Sequence, residues 1–255
     1  MYERAAEAPL DPLWHVAGGT TFFAGPLGYN ASHQHGAPVY LAGLYGAFRL
    51  RVRDGAWITC RTAMIPAGVP HELDLGGDPL GVLYREPDAA GHVDLVPLLH
   101  GTHEVSGALV GTAGAIVPLR DLFETRAGPR DAGPALDDLL RFSAARAGRV
   151  LDARVSRAVA ILDADPDAMP AAVLARAVGL SASRFQHLFT QEVGVPYRRY
   201  RAWMRMRRAI RAVVAGSNFT RAAYAAGFSD QSHLAHDFRR TFGAPASLSL
   251  LHIRR

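Results

Sequence analysis

Two stretches in the last third of this 255-residue chain follow one plan, and that plan constrains the fold more than any other feature. In the later stretch, Phe219 to Ala226 carries small and apolar residues at helical spacing and stops at Gly227. Glycine there supplies the positive φ that a sharp helix-to-helix turn requires. Ser229 or Asp230 then caps a second helix, whose Leu234, Phe238 and Phe242 recur at i, i+4 and i+8 and predict one buried stripe. The earlier stretch repeats this. Leu174 to Ser181 precedes Phe185, Leu188, Phe189 and Val193, and Gly179 stands 48 positions before Gly227. The later copy has one extra residue between its serine and its closing glycine, so the repeat is inexact.

The faces opposite the two stripes differ from a core. Ser183, Arg184, Gln186 and His187 occupy the first, and Gln231, Ser232, His236, Arg239 and Arg240 the second. These side chains suit base edges and phosphates, so each stretch reads as a helix-turn-helix whose second helix enters a major groove. Between them, residues 196–216 predict one Arg-rich helix with Pro196 near its first turn. About 18 residues of helix span roughly 27 Å, which sets two recognition helices about one DNA turn apart. The linker arginines, Arg198 and Arg207 among them, are expected to meet phosphates or water. Charge agrees with a polyanion partner: residues 151–255 hold 16 Arg against 7 acidic residues, whereas residues 1–150 hold 12 Arg against 16.

These residues resemble the AraC/XylS family of bacterial transcription regulators. The matching parts are LARAVGLSASRFQHLFTQEVGVPYRRY (174–200), the linker helix, and AAYAAGFSDQSHLAHDFRRTFG (222–243), within a resemblance that covers roughly residues 151–245. His187 and His236 stand where the family often has Arg, and the stretch after Gly243 is shorter than the usual close. The resemblance implies a sequence-specific regulator that binds operator or promoter double-stranded DNA under a small-molecule effector. It leaves room for a homodimer and for contact with RNA polymerase.

The first half reads as strands. Phe48, Leu50 and Val52 alternate with Arg49, Arg51 and Arg53 ahead of an Asp54-Gly55 turn signal, predicting a hairpin strand with an apolar inner face and a solvated arginine face. Residues 69–75, the turn 76–79 and residues 80–84 predict another hairpin, and residues 101–117 one or two more strands. The single Cys60 excludes an internal disulfide and reads as an inert strand residue.

Two local patterns resemble the cupin barrel: Gly28-x4-His33-Gln34-His35 and Pro66-Ala67-Gly68-Val69-Pro70-His71. His33 and His35, at strand spacing i and i+2, point to one side, and the turn delivers His71 to join them. Cupin enzymes commonly place a glutamate shortly after the second histidine, but residues 38–42 read Pro-Val-Tyr-Leu-Ala. The expectation is therefore an organic effector pocket bordered by His33, His35, Tyr40, Trp57 and His71, with no catalytic residues, no cofactor and no metal needed for DNA binding. His33, His35 and His71 are the metal candidates if there is one.

Residues 118–150 change character. A short helix over 120–126 ends at the Gly128-Pro129 break, and Leu136, Leu139, Leu140 and Ala144 form a stripe that packs on the barrel or serves a dimer. The expected organisation is α+β: a cupin-like barrel (1–120), a helical linker with dimerisation helices (121–150) and an all-α domain with two helix-turn-helix motifs (151–255). The opening residues 1–4 lack a secretory pattern, and no run approaches 18 apolar residues. This points to a cytoplasmic protein with no membrane partner. The rival from another class is a cupin metalloenzyme with an appended helical domain.

Overall fold

The structure, a computed structural model, describes residues 11–87, 92–93, 95–125, 131–144, 148–149, 151–164, 169–251 and 253. The predicted features at residues 1–4, at Gly128 and Pro129 and in the side chain of Ala144 lie outside them.

The first half is built from β1 (Leu13–Ala17), β2 (Thr20–Pro26), β3 (Tyr29–His33), β4 (Val39–Gly43), β5 (Phe48–Val52), β6 (Ile58–Cys60) and β7 (Thr62–Ile65). It continues with β8 (His71–Asp74), β9 (Pro79–Arg85), β10 (His92–Val93), β11 (Leu99–Val105) and β12 (Ala108–Gly114). Seven strands make one sheet in the order β1-β2-β9-β4-β7-β12-β11, and four make a second in the order β3-β8-β5-β6. Their inner faces, Val39, Leu41 and Val82 on one side and Phe48, Leu50 and Leu73 on the other, share one apolar core. This is the expected cupin-like barrel.

The β5–β6 hairpin forms as predicted, with Phe48 opposite Cys60 and Leu50 opposite Ile58. The arginines of β5 are paired rather than merely solvated: Arg51 reaches Glu72 at 2.6 Å and Arg49 reaches Asp74 at 3.2 Å. The second predicted hairpin is corrected. β8 pairs with β3 and β5, while β9 pairs with β2 and β4, so the turn at 76–79 carries the chain from one sheet to the other. Turn residues announce a reversal but not which strand receives it, because pairing is settled by distant partners.

Helices α1 (Val117–Glu124) and α2 (Ala132–Ala144) follow, then a two-residue strand β13 (Gly148–Arg149) that pairs with β10. α1 straddles the expected boundary at residue 120. Leu119, Phe123, Leu136 and Leu140 are buried against Leu13, Phe22 and Tyr40 on the outer face of the large sheet. The α2 stripe is thus spent on the barrel within one chain.

The remaining helices are α3 (Ala153–Ala164), α4 (Ala171–Ala177), α5 (Ala182–Val193), α6 (Tyr197–Val214), α7 (Phe219–Ala225), α8 (Gln231–Phe242) and α9 (Ser247–Leu250). No helix among the described residues is long and apolar enough to cross a membrane. The principal core does not stop at the barrel: it runs from Trp14 and Phe23 through Trp203 into Phe238 and Phe242.

Candidate nucleic-acid interface and its link to the barrel

The two helix-turn-helix motifs are built alike, atom for atom at their turns. After α4, Leu180 N–H donates to the Ala175 carbonyl and Gly179 N–H to that of Arg176. After α7, Phe228 N–H donates to Ala223 and Gly227 N–H to Tyr224. Both are Schellman closures, and both need a left-handed residue; Gly179 has φ 75° and Gly227 φ 77°. The next helices are capped as the sequence suggested. Ser181 accepts from Arg184 N–H, and Asp230, rather than Ser229, accepts from His233 N–H at 2.8 Å. Ser229 instead lies with its hydroxyl 3.1 Å from the His233 ring.

Phe185, Leu188, Phe189 and Val193 are buried on α5, and Leu234, Phe238 and Phe242 on α8. Ser183, Arg184, Gln186 and His187 are exposed on the first helix, and Gln231, Ser232, His236, Arg239 and Arg240 on the second. α6 joins the motifs through 18 residues, and its Tyr200, Met206 and Ile210 are buried. Arg198 is exposed.

Arg207 corrects the expectation. Its side chain is 2% exposed and lies 2.8 Å from the Glu86 carboxylate of the barrel. Its guanidinium also donates to Thr21 Oγ1 at 3.1 Å and to the Gly18 carbonyl. Trp203 Nε1 donates to the other Glu86 oxygen at 2.7 Å. Burial pushes the Glu86 carboxyl up, and the guanidinium and the indole N–H pull it back. Arg207 is an anchor between domains and is unavailable to phosphate. A basic, evenly Arg-rich helix gives no local sign of this, since the deciding residue is Glu86, far away in sequence.

The end of α8 is tied down as well. Ala31 N–H donates to the Gly243 carbonyl at 3.0 Å, Asn30 Nδ2 to the Phe242 carbonyl at 2.7 Å, and Trp14 Nε1 to Ser249 at 2.8 Å. Gly243 has φ 71°, and a Cβ there would collide with the Ala31 backbone and the His33 ring.

Beside this seam lies a small cavity of about 40 Å3. Its walls come from both domains. Phe23, Leu41, Val82 and Tyr84 line it from the barrel; Phe238, Phe242 and Leu248 line it from the helices. The polar groups on its wall include Asn30, His33 and His35, and no arginine among the described residues lines it. His33, His35 and His71 come together as predicted, with ring centroids 4.3 to 5.1 Å apart, although His35 follows β3 rather than sharing a strand with His33. Burial lowers all three, His33 to about 4 and the others well below the usual range, so the cluster is neutral at pH 7.

Tyr40 and Trp57 are placed elsewhere. Tyr40 is fully buried on the outer face of the large sheet, under α1 and α2, because β4 is covered on both sides and Leu41 takes the inward position. Trp57 lies on the outer surface between Arg49 and Arg51, whose guanidinium carbons are 4.9 and 5.2 Å from its ring. The sequence reading missed the aromatic wall given by α8, because a stripe at helical spacing shows that a face is buried but not against what.

Residues 174–248 match the family model described as a helix-turn-helix domain. The chain therefore carries a helix-turn-helix domain over these residues, the domain type expected from the sequence. No curated protein sequence matches it. Among solved structures it is similar to ToxT of Vibrio cholerae, at a TM-score of 0.60 and 10% identity, covering 92% of this chain and 98% of that one. It is also similar to ToxT bound to an unsaturated fatty acid, at 0.55 and 12%, covering 96% and 94%. A third similar structure is ToxT bound to (E)-4-(8-methylnaphthalen-1-yl)but-3-enoic acid, at 0.60 and 11%, covering 92% and 99%. The two-domain fold, barrel first and helices second, is therefore shared along nearly the whole chain.

Proposed function

We propose that this protein is a sequence-specific transcription regulator whose hold on operator or promoter DNA is set by a small molecule in the cavity. Ser183, Gln186, His187, Gln231, Ser232 and His236 read base edges, while Arg184, Arg239, Arg240 and Arg198 hold phosphates. The observation that carries the control is the cavity wall. Phe238 and Phe242, which line it, are the buried stripe of the second recognition helix itself. An occupant that packs differently against those rings in two arrangements of α8 shifts the balance between them, and with it the affinity for DNA.

Two of the similar structures hold organic acids. Here the lining carries imidazoles and an Asn30 Oδ1 that has no hydrogen-bond partner among the described residues. That chemistry suits an apolar effector with one hydrogen-bonding head. His33 and His35 are its contacts, and His71 supports them from behind. A homodimer and a contact with RNA polymerase remain part of this reading, with a dimer face other than the α2 stripe. The rival metalloenzyme reading draws only on the histidine cluster.

Selection of bound DNA from a random duplex pool by the full-length protein tests the proposal. A single preferred motif is expected, and its affinity should change when an effector is added from a panel of apolar alcohols and acids. Recovery of unenriched sequence would refute it.

A further inference from the structure

Each helix-turn-helix closes on the same three-residue plan, Gly194-Val195-Pro196 after α5 and Gly243-Ala244-Pro245 after α8. Both glycines are left-handed, at φ 86° and 71°, and donate N–H to the carbonyl four residues back, of Thr190 and of Arg239. Both closures also rest on the barrel. The Gly243 carbonyl accepts from Ala31 N–H of β3 at 3.0 Å. Gly194 and Val195 pack against Ala67 and Gly68, in the segment between β7 and β8. A Cβ on Gly68 would stand 2.9 Å from Val195 Cγ1, and Val195 is fully buried. The two supports are tied together, since Gly68 N–H donates at 2.9 Å to the carbonyl of His35, two residues beyond β3. They hold the connecting helix too. Gln34 Oε1 accepts from Arg199 Nη1 at 2.9 Å, and Gly36 lies so close under Trp203 that a side chain there would collide with it.

We infer that, given the DNA-binding reading of α5 and α8, the barrel is the ruler for operator spacing: it fixes the separation and angle at which the two helices meet the duplex. α6 by itself would leave each motif free to turn about the helix on which it packs. The ring contacts that join them are Phe189 with Tyr200 at 5.5 Å and Phe242 with Trp203 at 6.1 Å. A second contact away from α6 removes that turn. Gly68 with Val195 supplies it for the first motif, and Ala31 with Gly243 for the second. These are positioning residues, which act on DNA through the helices they hold.

The consequence is a specificity that involves no base contact. Two reading helices on one chain bind as a linked pair, and the gain from linkage is lost where geometry forbids both contacts at once. One inserted base pair turns the second element by about 34° and moves it by about 3.4 Å. A pair held by a ruler cannot follow that change; a loosely joined pair can.

The test measures the affinity of full-length protein for duplexes carrying both selected half-elements at the selected spacing, for the same duplexes with one base pair inserted between them, and for each half-element alone. Wild type should lose at least tenfold on insertion. In Gly68→Ala and in Val195→Ala that ratio should fall below threefold, with affinity for single half-elements unchanged. Gly76→Ala is the control, because Gly76 is also left-handed, at φ 60°, but faces open space; it should keep the wild-type ratio. Val195→Ala, which adds no backbone strain, decides the matter if Gly68→Ala fails to fold. A tenfold ratio retained in folded Val195→Ala would overturn the inference. So would a wild type that binds the half-elements and ignores their spacing, which leaves the DNA-binding reading standing. A wild type with no sequence preference would remove that reading and the ruler with it.

Discussion

At the scale of single residues, glycine and glutamine carry the sharpest expectations. Gly243 holds a left-handed turn while its backbone touches the barrel. Gly243→Ala should therefore lower stability by more than the roughly 1–2 kcal/mol of the dihedral alone, because Ala31 and His33 must also move. Gly179→Ala has open space around it and should cost only that dihedral term. Denaturant melts of the two variants check the difference; equal losses would show that the seam yields freely. On the reading faces, Gln186→Ala and Gln231→Ala should each relax preference at one base position, at a cost of about 1–3 kcal/mol. Arg239→Ala and Arg240→Ala should weaken all sequences alike and flatten the salt dependence. Competition binding with single-base operator variants separates the two behaviours.

At the scale of elements, the recognition helices were legible because a 3.6-residue stripe, a capping residue and a glycine stop are all local signals. β5 was legible for the same reason: its inner and outer residues alternate. β4 was not, since all five of its residues are buried and no alternation remains to show that Leu41, not Tyr40, faces the cavity. Trp57 misled because an aromatic residue beside a strand looks like lining until its arginine neighbours on the outer surface are known. α6 divides by face. Arg198 should behave as a phosphate contact and Arg207 as a structural one, so Arg198→Ala should reduce DNA affinity and leave the Tm unchanged.

At the scale of the whole molecule, the barrel and the helical half are joined through a shared core and a buried ion pair. Glu86→Gln leaves Arg207 with only the half-exposed Asp163 carboxylate, 3.6 Å away, so it should cost up to about 3–5 kcal/mol of stability or loosen the barrel from α6. Replacing both groups with apolar residues should cost less than the two single changes together. None of this joint was readable in advance. Glu86 lies outside any motif, Arg207 sits in a helix whose other arginines suit solvent, and only the fold brings them together. The claim on which the account rests is that one chain places α5 and α8 in successive major grooves. Footprinting of the full-length protein on a selected operator tests it most directly. The account predicts two protected major-groove segments about one helical turn apart on one face of the duplex, the first weakened by Gln186→Ala and the second by Gln231→Ala. A single short protected segment, or protection that ignores sequence, would contradict it.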